Sequence, residues 1–280
     1  MVNTERSVCS PMEEENEGQW LEQVRTTLDR PWTAGNLNDY NLCPRKLLLS
    51  LFSASRQRRA LGASQALQGA VRAALVAADQ QGGVGEWSLE KLRDEFLHRF
   101  DKAACADSLE EEQTERLGIN MIARFQAEQR ERTAQLIAAD ERFEAVFEGL
   151  HFAAVADRVE RDVDGKLVVA RFDVTSKPPG PERLKREFSM GLLVAIVAAK
   201  MDEIPTGRIY ALRPGKIYDV SLDEAELVVV RGRAIMAARL IQADAEFGER
   251  AGDQCRWCRV RSGCSAWQTR RRSLLDAGGT

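Results

Sequence analysis

FEAVFEGLHFAAVADRVERDVDGKLVVARFDVTSK, residues 143–177, is the stretch whose pattern decides the fold. Apolar and polar residues alternate through it, β-branched and aromatic side chains are dense, and Asp164-Gly165 interrupts it with a turn dipeptide. A period of two belongs to strands with one face buried. The pattern predicts strands at about 144–149, 150–161 and 166–175, with a further strand at 207–212. Between the last two, ERLKREFSMGLLVAIVAAKMDE (182–203) changes to helical spacing, with Phe188, Leu192, Ala195 and Ile196 on one face. A second helix is predicted over about 222–246, opened by a capping box of Ser221 with Glu224.

Working outward, the chain before this region reads as helical. Residues 20–61 include NLNDYNLCPRKLLLSLF, where Asn38 or Asp39 can cap a helix and Leu42, Leu47, Leu48 and Leu51 form an apolar stripe. Pro44 suits a first helical turn. An Ala-rich helix follows at 62–79, then the Gly-rich break QQGGVGEW. Residues 88–140 read as two or three amphipathic helices, carrying Leu92, Phe96 and Phe100, then Leu117, Met121 and Phe125. The expected fold class is α/β or α+β: one domain over 20–272, helical to 140, sheet-bearing over 141–246, with a cysteine-bearing tail at 247–272. The acidic segment 1–19 and the end, 273–280, are expected to be disordered tails.

Composition narrows the function class. With 44% hydrophobic residues in 280, a sizeable core is available. The 40 basic residues are nearly balanced by 43 acidic ones, so a uniformly basic nucleic-acid sponge is excluded while a local basic stripe is not. No apolar run approaches the length of a membrane span, and the N-terminus lacks the pattern of a secretory signal. A cytoplasmic location and no membrane partner are the expectations, and in that compartment the six cysteines are not read as disulfides.

Cys255-Arg-Trp-Cys258 is a CxxC with Cys264 beyond it, a spacing that lets three thiolates face one metal centre. His98 and His151 do not neighbour this cluster, which leaves Cys43, in its Tyr-x-x-Cys-Pro context, as the candidate fourth ligand. Thiol chemistry alone divides evenly between a structural zinc and an iron–sulfur cluster. Cys9 and Cys105 lie in polar contexts and read as incidental.

Tyr-x-x-Cys-Pro near the start, Asp157-Arg158-Val159 in a central strand and a terminal Cys-x-x-Cys-x5-Cys stand in an order that resembles the iron–sulfur RecB-like nucleases. These belong to the PD-(D/E)XK superfamily and include CRISPR-associated RecB-like exonucleases and the nuclease domains of AddB. The resemblance runs from about Asn36 to Trp267. It implies a restriction-endonuclease-like core and a 4Fe–4S cluster held by Cys43, Cys255, Cys258 and Cys264, with zinc as the alternative.

The resemblance also implies an active site, and here the chain departs from the family. The helical Gly-x-x-x-His is matched by Gln68-Gly-Ala-Val-Arg72, so Arg72 replaces a metal-binding histidine. The strand aspartate survives as Asp157. The Asp-Tyr-Lys-Thr that follows becomes Arg171-Phe172-Asp173, with the charge order inverted and no lysine. Ser189 and Leu193 stand where the family has Gln-x-x-x-Tyr. Asp157 and Asp173 are the candidate catalytic residues, with Mg²⁺ or Mn²⁺ as cofactor if the site is active. An ion pair, Arg171–Asp157 or Arg72–Asp173, is expected to fill the metal pocket otherwise.

The family implies a DNA partner, single-stranded or at DNA ends, and companion subunits of a repair, CRISPR-adaptation or defence complex. Arg45, Lys46, Arg72, Arg171, Arg256 and Arg259 are the candidate nucleic-acid contacts, from basic clusters that also include Arg56-Arg58-Arg59, Arg183-Lys185-Arg186 and Arg270-Arg271-Arg272. Trp257 and Trp267 read first as lids that keep water from the metal site, and second as surfaces for a base.

Overall fold

The computed structural model describes residues 30–56, 62–132, 134–265 and 267–268. The expected terminal tails 1–19 and 273–280, and the cluster Arg270 to Arg272, lie outside the described residues. The chain opens with helices α1 (Ala34–Leu42), α2 (Pro44–Arg56), α3 (Ala63–Gln80), α4 (Leu89–Arg99) and α5 (Ser108–Glu131). Strands β1 (Gln135–Phe147), β2 (Leu150–Arg161) and β3 (Leu167–Asp173) follow as an antiparallel meander. Helices α6 (Pro181–Arg186) and α7 (Phe188–Met201) then cross to β4 (Thr206–Ala211), which runs parallel to β3. Strand β5 (Lys216–Val220) returns antiparallel, and α8 (Glu224–Ala243) leads to the cysteine-bearing tail.

Sheet order is β1-β2-β3-β4-β5, so the chain departs from simple hairpin connections only at the β3–β4 crossover. A parallel pair needs such a crossover, and α7 supplies it. Met190 through Val197 are buried on every side of that helix, which explains why its sequence is apolar all round. Gly207 lets α7 approach closely: a Cβ there would meet Met190 Sδ at 2.6 Å. One face of the sheet carries a core with α1, α2, α7 and α8, the other a core with α3, α4 and α5. Strand β3 begins Leu167-Val168-Val169-Ala170, buried throughout because both faces are covered.

Three boundaries differ from the sequence reading. The first helix is two: α1 is opened by a capping box of Thr33 with Asn36, upstream of the expected Asn38 or Asp39, and it ends at Cys43, whose extended backbone (φ −165°) separates it from Pro44 at the start of α2. The helical region stops at Glu131 and β1 begins at Gln135, well before 144. Leu136-Ile137-Ala138-Ala139 has good helix formers, but β2 offers a long partner, and a bulge between Leu136 and Ala138 masks the strand alternation. Finally, the capping box of α8 uses Asp223 and Glu226. Leu222 before the cap and Leu227 in the first turn are both in the core, a hydrophobic staple that places the cap two residues beyond Ser221.

Candidate nuclease-type site and cysteine cavity

The last recorded pair of the β2–β3 ladder is Arg158 with Ala170. Immediately beyond, the Asp157 carboxylate takes over: its Oδ2 accepts from the Phe172 backbone N–H at 2.7 Å. The α7-side core takes Phe152 and Ala156 from β2, but also Val159, so the in–out alternation slips by one residue at Asp157-Arg158. That slip aims a buried carboxylate, 2% exposed, at the place where the two strands part.

Helix α3 closes the pocket from the side. Gln68 bonds the edge of β3 twice, donating to the Phe172 carbonyl at 2.9 Å and accepting from Val174 N–H at 3.1 Å. One turn on, Arg72 Nε lies 2.5 Å from Asp157 Oδ1, and the same guanidinium bonds Asp140 on β1. Burial works against the charge on Arg72, but Asp157 and Asp140 outweigh it and raise its pKa. Asp140 holds a left-handed backbone (φ 56°), a strained conformation that places its carboxylate opposite Asp157. The ion pair in the pocket is therefore Arg72 with Asp157, rather than either pairing read from the sequence, because Arg72 projects from α3 onto the stretch of β2 where its alternation slips. Asp140, which the sequence reading assigned to a helix, is the residue that reading missed.

Arg171 is half-buried on β3 and has no ion pair among the described residues. Asp173 does not join Asp157: its Oδ1 accepts from Thr175 N–H at 2.6 Å as a turn cap. Leu193 is buried in the apolar core beneath the sheet, so this stretch of α7 offers packing where the family has a polar pair.

Behind the pocket lies a second polar group that the sequence reading passed over. Arg158 Nε lies 3.4 Å from Asp79 and 3.3 Å from Glu160, all three nearly solvent-free. The Tyr210 hydroxyl donates to Glu160 at 2.5 Å and accepts from Arg132 at 2.8 Å. Arg208 bridges Glu160 to Asp219. Burial pushes the Asp79 carboxyl up to about 6 despite Arg158, and burial together with Glu160 pushes Tyr210 up to about 12. The alternation Arg158-Val159-Glu160 on an apolar strand was the available signal: charges at inward positions of a covered strand must pair.

The cysteine cavity is built differently. Cys43 enters it from the break between α1 and α2, and Cys255, Cys258 and Cys264 from the tail, around a small cavity of about 20 Å³ that is partly open to solvent. Two 3₁₀ turns, Asp253–Trp257 and Arg261–Gly263, organise the tail. Cys255, Cys258, Arg261, Cys264 and Trp267 line the cavity together with Gln254 and Val260. Lys46 and Arg261 also face it. Arg250 N–H donates to Cys43 Sγ at 3.4 Å. Among the described residues, no three His, Cys, Asp or Glu side chains are placed to hold one metal ion.

Independent contacts fasten the tail to the first helices. Tyr40 donates to Asp244 at 2.8 Å, Phe247 packs edge-on against Tyr40 at 6.2 Å, and Arg250 donates to the Asn41 carbonyl at 3.0 Å. Burial and Asp244 push Tyr40 up to about 12. Burial opposes the Asp244 charge, but hydrogen bonds from Phe247 N–H and Tyr40 hold its pKa low. Of the basic candidates, Lys46 pairs with Asp39 at 2.6 Å beside the cavity, and Arg45 is half-buried on α2. Arg256 is exposed on the cysteine loop, and Arg259 lies against Gln65 of α3, whose amide oxygen, when turned toward it, accepts at 3.0 Å. Trp267 lines the cavity, but Trp257 is 85% exposed and is no lid.

The architecture is a mixed sheet between helical layers, with the buried Asp157 of β2 facing helix α3. The chain belongs to the PD-(D/E)XK nuclease superfamily, whose family model matches residues 31–265. No protein of curated function matches the sequence. Among solved structures, a candidate exonuclease from Eubacterium rectale is similar over 91% of this chain and 93% of its own, at 11% identity and a TM-score of 0.46. The protein SSO0001 is similar over 79% of this chain and 93% of its own, at 15% identity and a TM-score of 0.34. Among the described residues, no helix is long and apolar enough to cross a membrane.

Proposed function

We propose that this chain is a nuclease-fold subunit that binds DNA, and scaffolds a DNA-processing complex, without cutting. One observation carries the reading: the Arg72 guanidinium occupies the space between Asp157 and Asp140. In-line hydrolysis of a phosphodiester needs metal ions to offset the added charge and a poised water. A fixed guanidinium satisfies those carboxylates and repels a divalent cation. Arg171, without a carboxylate partner among the described residues, is available to a phosphate oxygen, and a guanidinium fork suits that ligand. The pocket supports gripping a backbone more than breaking it.

Cys43, Cys255, Cys258 and Cys264 would hold a 4Fe–4S cluster, which would supply a covalent clasp between tail and first helices. The fit rests on four thiols around one cavity with two facing cations and an N–H to Cys43. A single tetrahedral zinc would draw its thiolates to about 3.8 Å of one another, from a Zn–S distance of ~2.3 Å. A zinc ion at the same four thiols is the alternative.

Purified protein is assayed with single-stranded, duplex and forked DNA in Mg²⁺ or Mn²⁺. Retention of DNA without cleavage is expected. Mn²⁺-dependent cleavage lost in Asp157→Ala would overturn the non-cutting reading in favour of an active nuclease. Anaerobic preparations should absorb near 400 nm; a colourless protein with one zinc per chain would replace the cluster with zinc.

A further inference from the structure

Trp257 is the most exposed large apolar side chain among the described residues. Scattered exposed leucines and valines need no explanation, but an indole left in water forgoes a large burial gain. Gln254, Cys255 and Cys258 beside it line the cysteine cavity, whereas Trp257 does not, and Arg256 next to it is likewise exposed. The loop is also basic. From Gln254 to Ser265 it carries Arg256, Arg259 and Arg261 and no acidic residue.

This loop connects to the strand pocket along one helix face. Arg259 meets Gln65, Gln68 holds the edge of β3, and Arg72 reaches Asp157. Gln65 to Arg72 covers seven residues of helix, ~10 Å at 1.5 Å per residue. A stacked strand advances ~3.4 Å per nucleotide, so a few nucleotides span that distance.

We propose that Trp257 stacks on an unpaired base, of a single strand or a frayed DNA end, while Arg256 and Arg259 contact the flanking phosphates. The strand then runs along α3 toward the closed pocket at Arg72. This inference rests on the DNA-binding reading and narrows it to nucleic acid with exposed bases. Aromatic stacking accepts every base, so the site is sequence-tolerant.

Affinity for a single-stranded oligonucleotide and for a closed hairpin duplex is measured by fluorescence anisotropy for wild type, Trp257→Ala and Trp257→Phe. The side chain is exposed, so neither substitution threatens the fold. Trp257→Ala should weaken single-strand binding about tenfold or more, Trp257→Phe much less, and duplex binding should not change. Equal single-strand affinity in wild type and Trp257→Ala would overturn the proposal, as would an equal loss on both ligands. Wild type that binds neither DNA would overturn the DNA-binding reading itself, and the stacking role with it.

Discussion

Arg72→Ala should turn the closed pocket into a cation site. Arg72 Nε lies 2.5 Å from Asp157 Oδ1, and the guanidinium also reaches Asp140. Two unit charges about 4 Å apart attract by about 4 kcal/mol at an effective dielectric of ~20. The Arg72 side chain is 33% exposed, so solvent screening removes roughly half of that. The substitution then costs about 2 kcal/mol at pH 7, a fall in Tm of about 4–8 °C for a domain of this size. It also leaves two carboxylates facing each other with no counter-charge. Oxygen ligands suit Mn²⁺, and an ion that binds only the folded chain adds about 2.7 kcal/mol at a hundred times its Kd. Thermal unfolding across a Mn²⁺ titration is the assay: the variant should recover its lost stability while wild type does not respond. A variant as stable as wild type, or equal Mn²⁺ stabilisation of both, would refute the claim that Arg72 stands where a metal would.

Three further outcomes follow from the packing. With Asp79 held at about 6, above its usual 3.8, the folded chain binds that proton more tightly than the unfolded one, so stability falls as pH rises from about 4 to 6. Urea unfolding should show Asp79→Asn lacking that slope, by up to about 3 kcal/mol, whereas a constant offset from wild type across the range would detach it from Asp79. Tyr40→Phe removes the 2.8 Å bond to Asp244 and should cost about 1 kcal/mol, with faster tryptic cleavage at Arg250; unchanged cleavage would separate Tyr40 from tail docking. A Cβ at Gly118 would meet Phe96 Cε2 at 2.7 Å, so Gly118→Ala should lose about 1–3 kcal/mol in chemical denaturation, and Phe96→Leu should restore part of it.

Much of this architecture could be read from residue spacing. The β2–β3 hairpin, its Asp162 to Gly165 turn and the crossover helix were legible because alternation and helical periodicity there agree with what each face packs against. Strand β1 was not: its bulge breaks the period of two, and Asp140-Glu141-Arg142 reads as an exposed helix face. The gathering of Cys43 with the tail cysteines followed from ligand counting, and the cavity brings all four together. The loss of the catalytic lysine was visible in Arg171-Phe172-Asp173, but the partner of Arg72 was not. That depends on where α3 lies against β2, which no local pattern encodes. Trp257 was singled out by type, but its exposure was not legible, because cavity-lining and exposed residues interleave in this loop without a fixed period.

The contact between Cys43 and Arg250 spans 207 positions. A chain made from its N-terminus at ~5–20 residues per second exposes Cys43 for roughly 10–40 seconds before the tail cysteines emerge. Through that interval the first helices leave the ribosome with one thiol of the future cavity and none of its companions. Until those tail cysteines have been made, the four thiols that line the cavity cannot stand together.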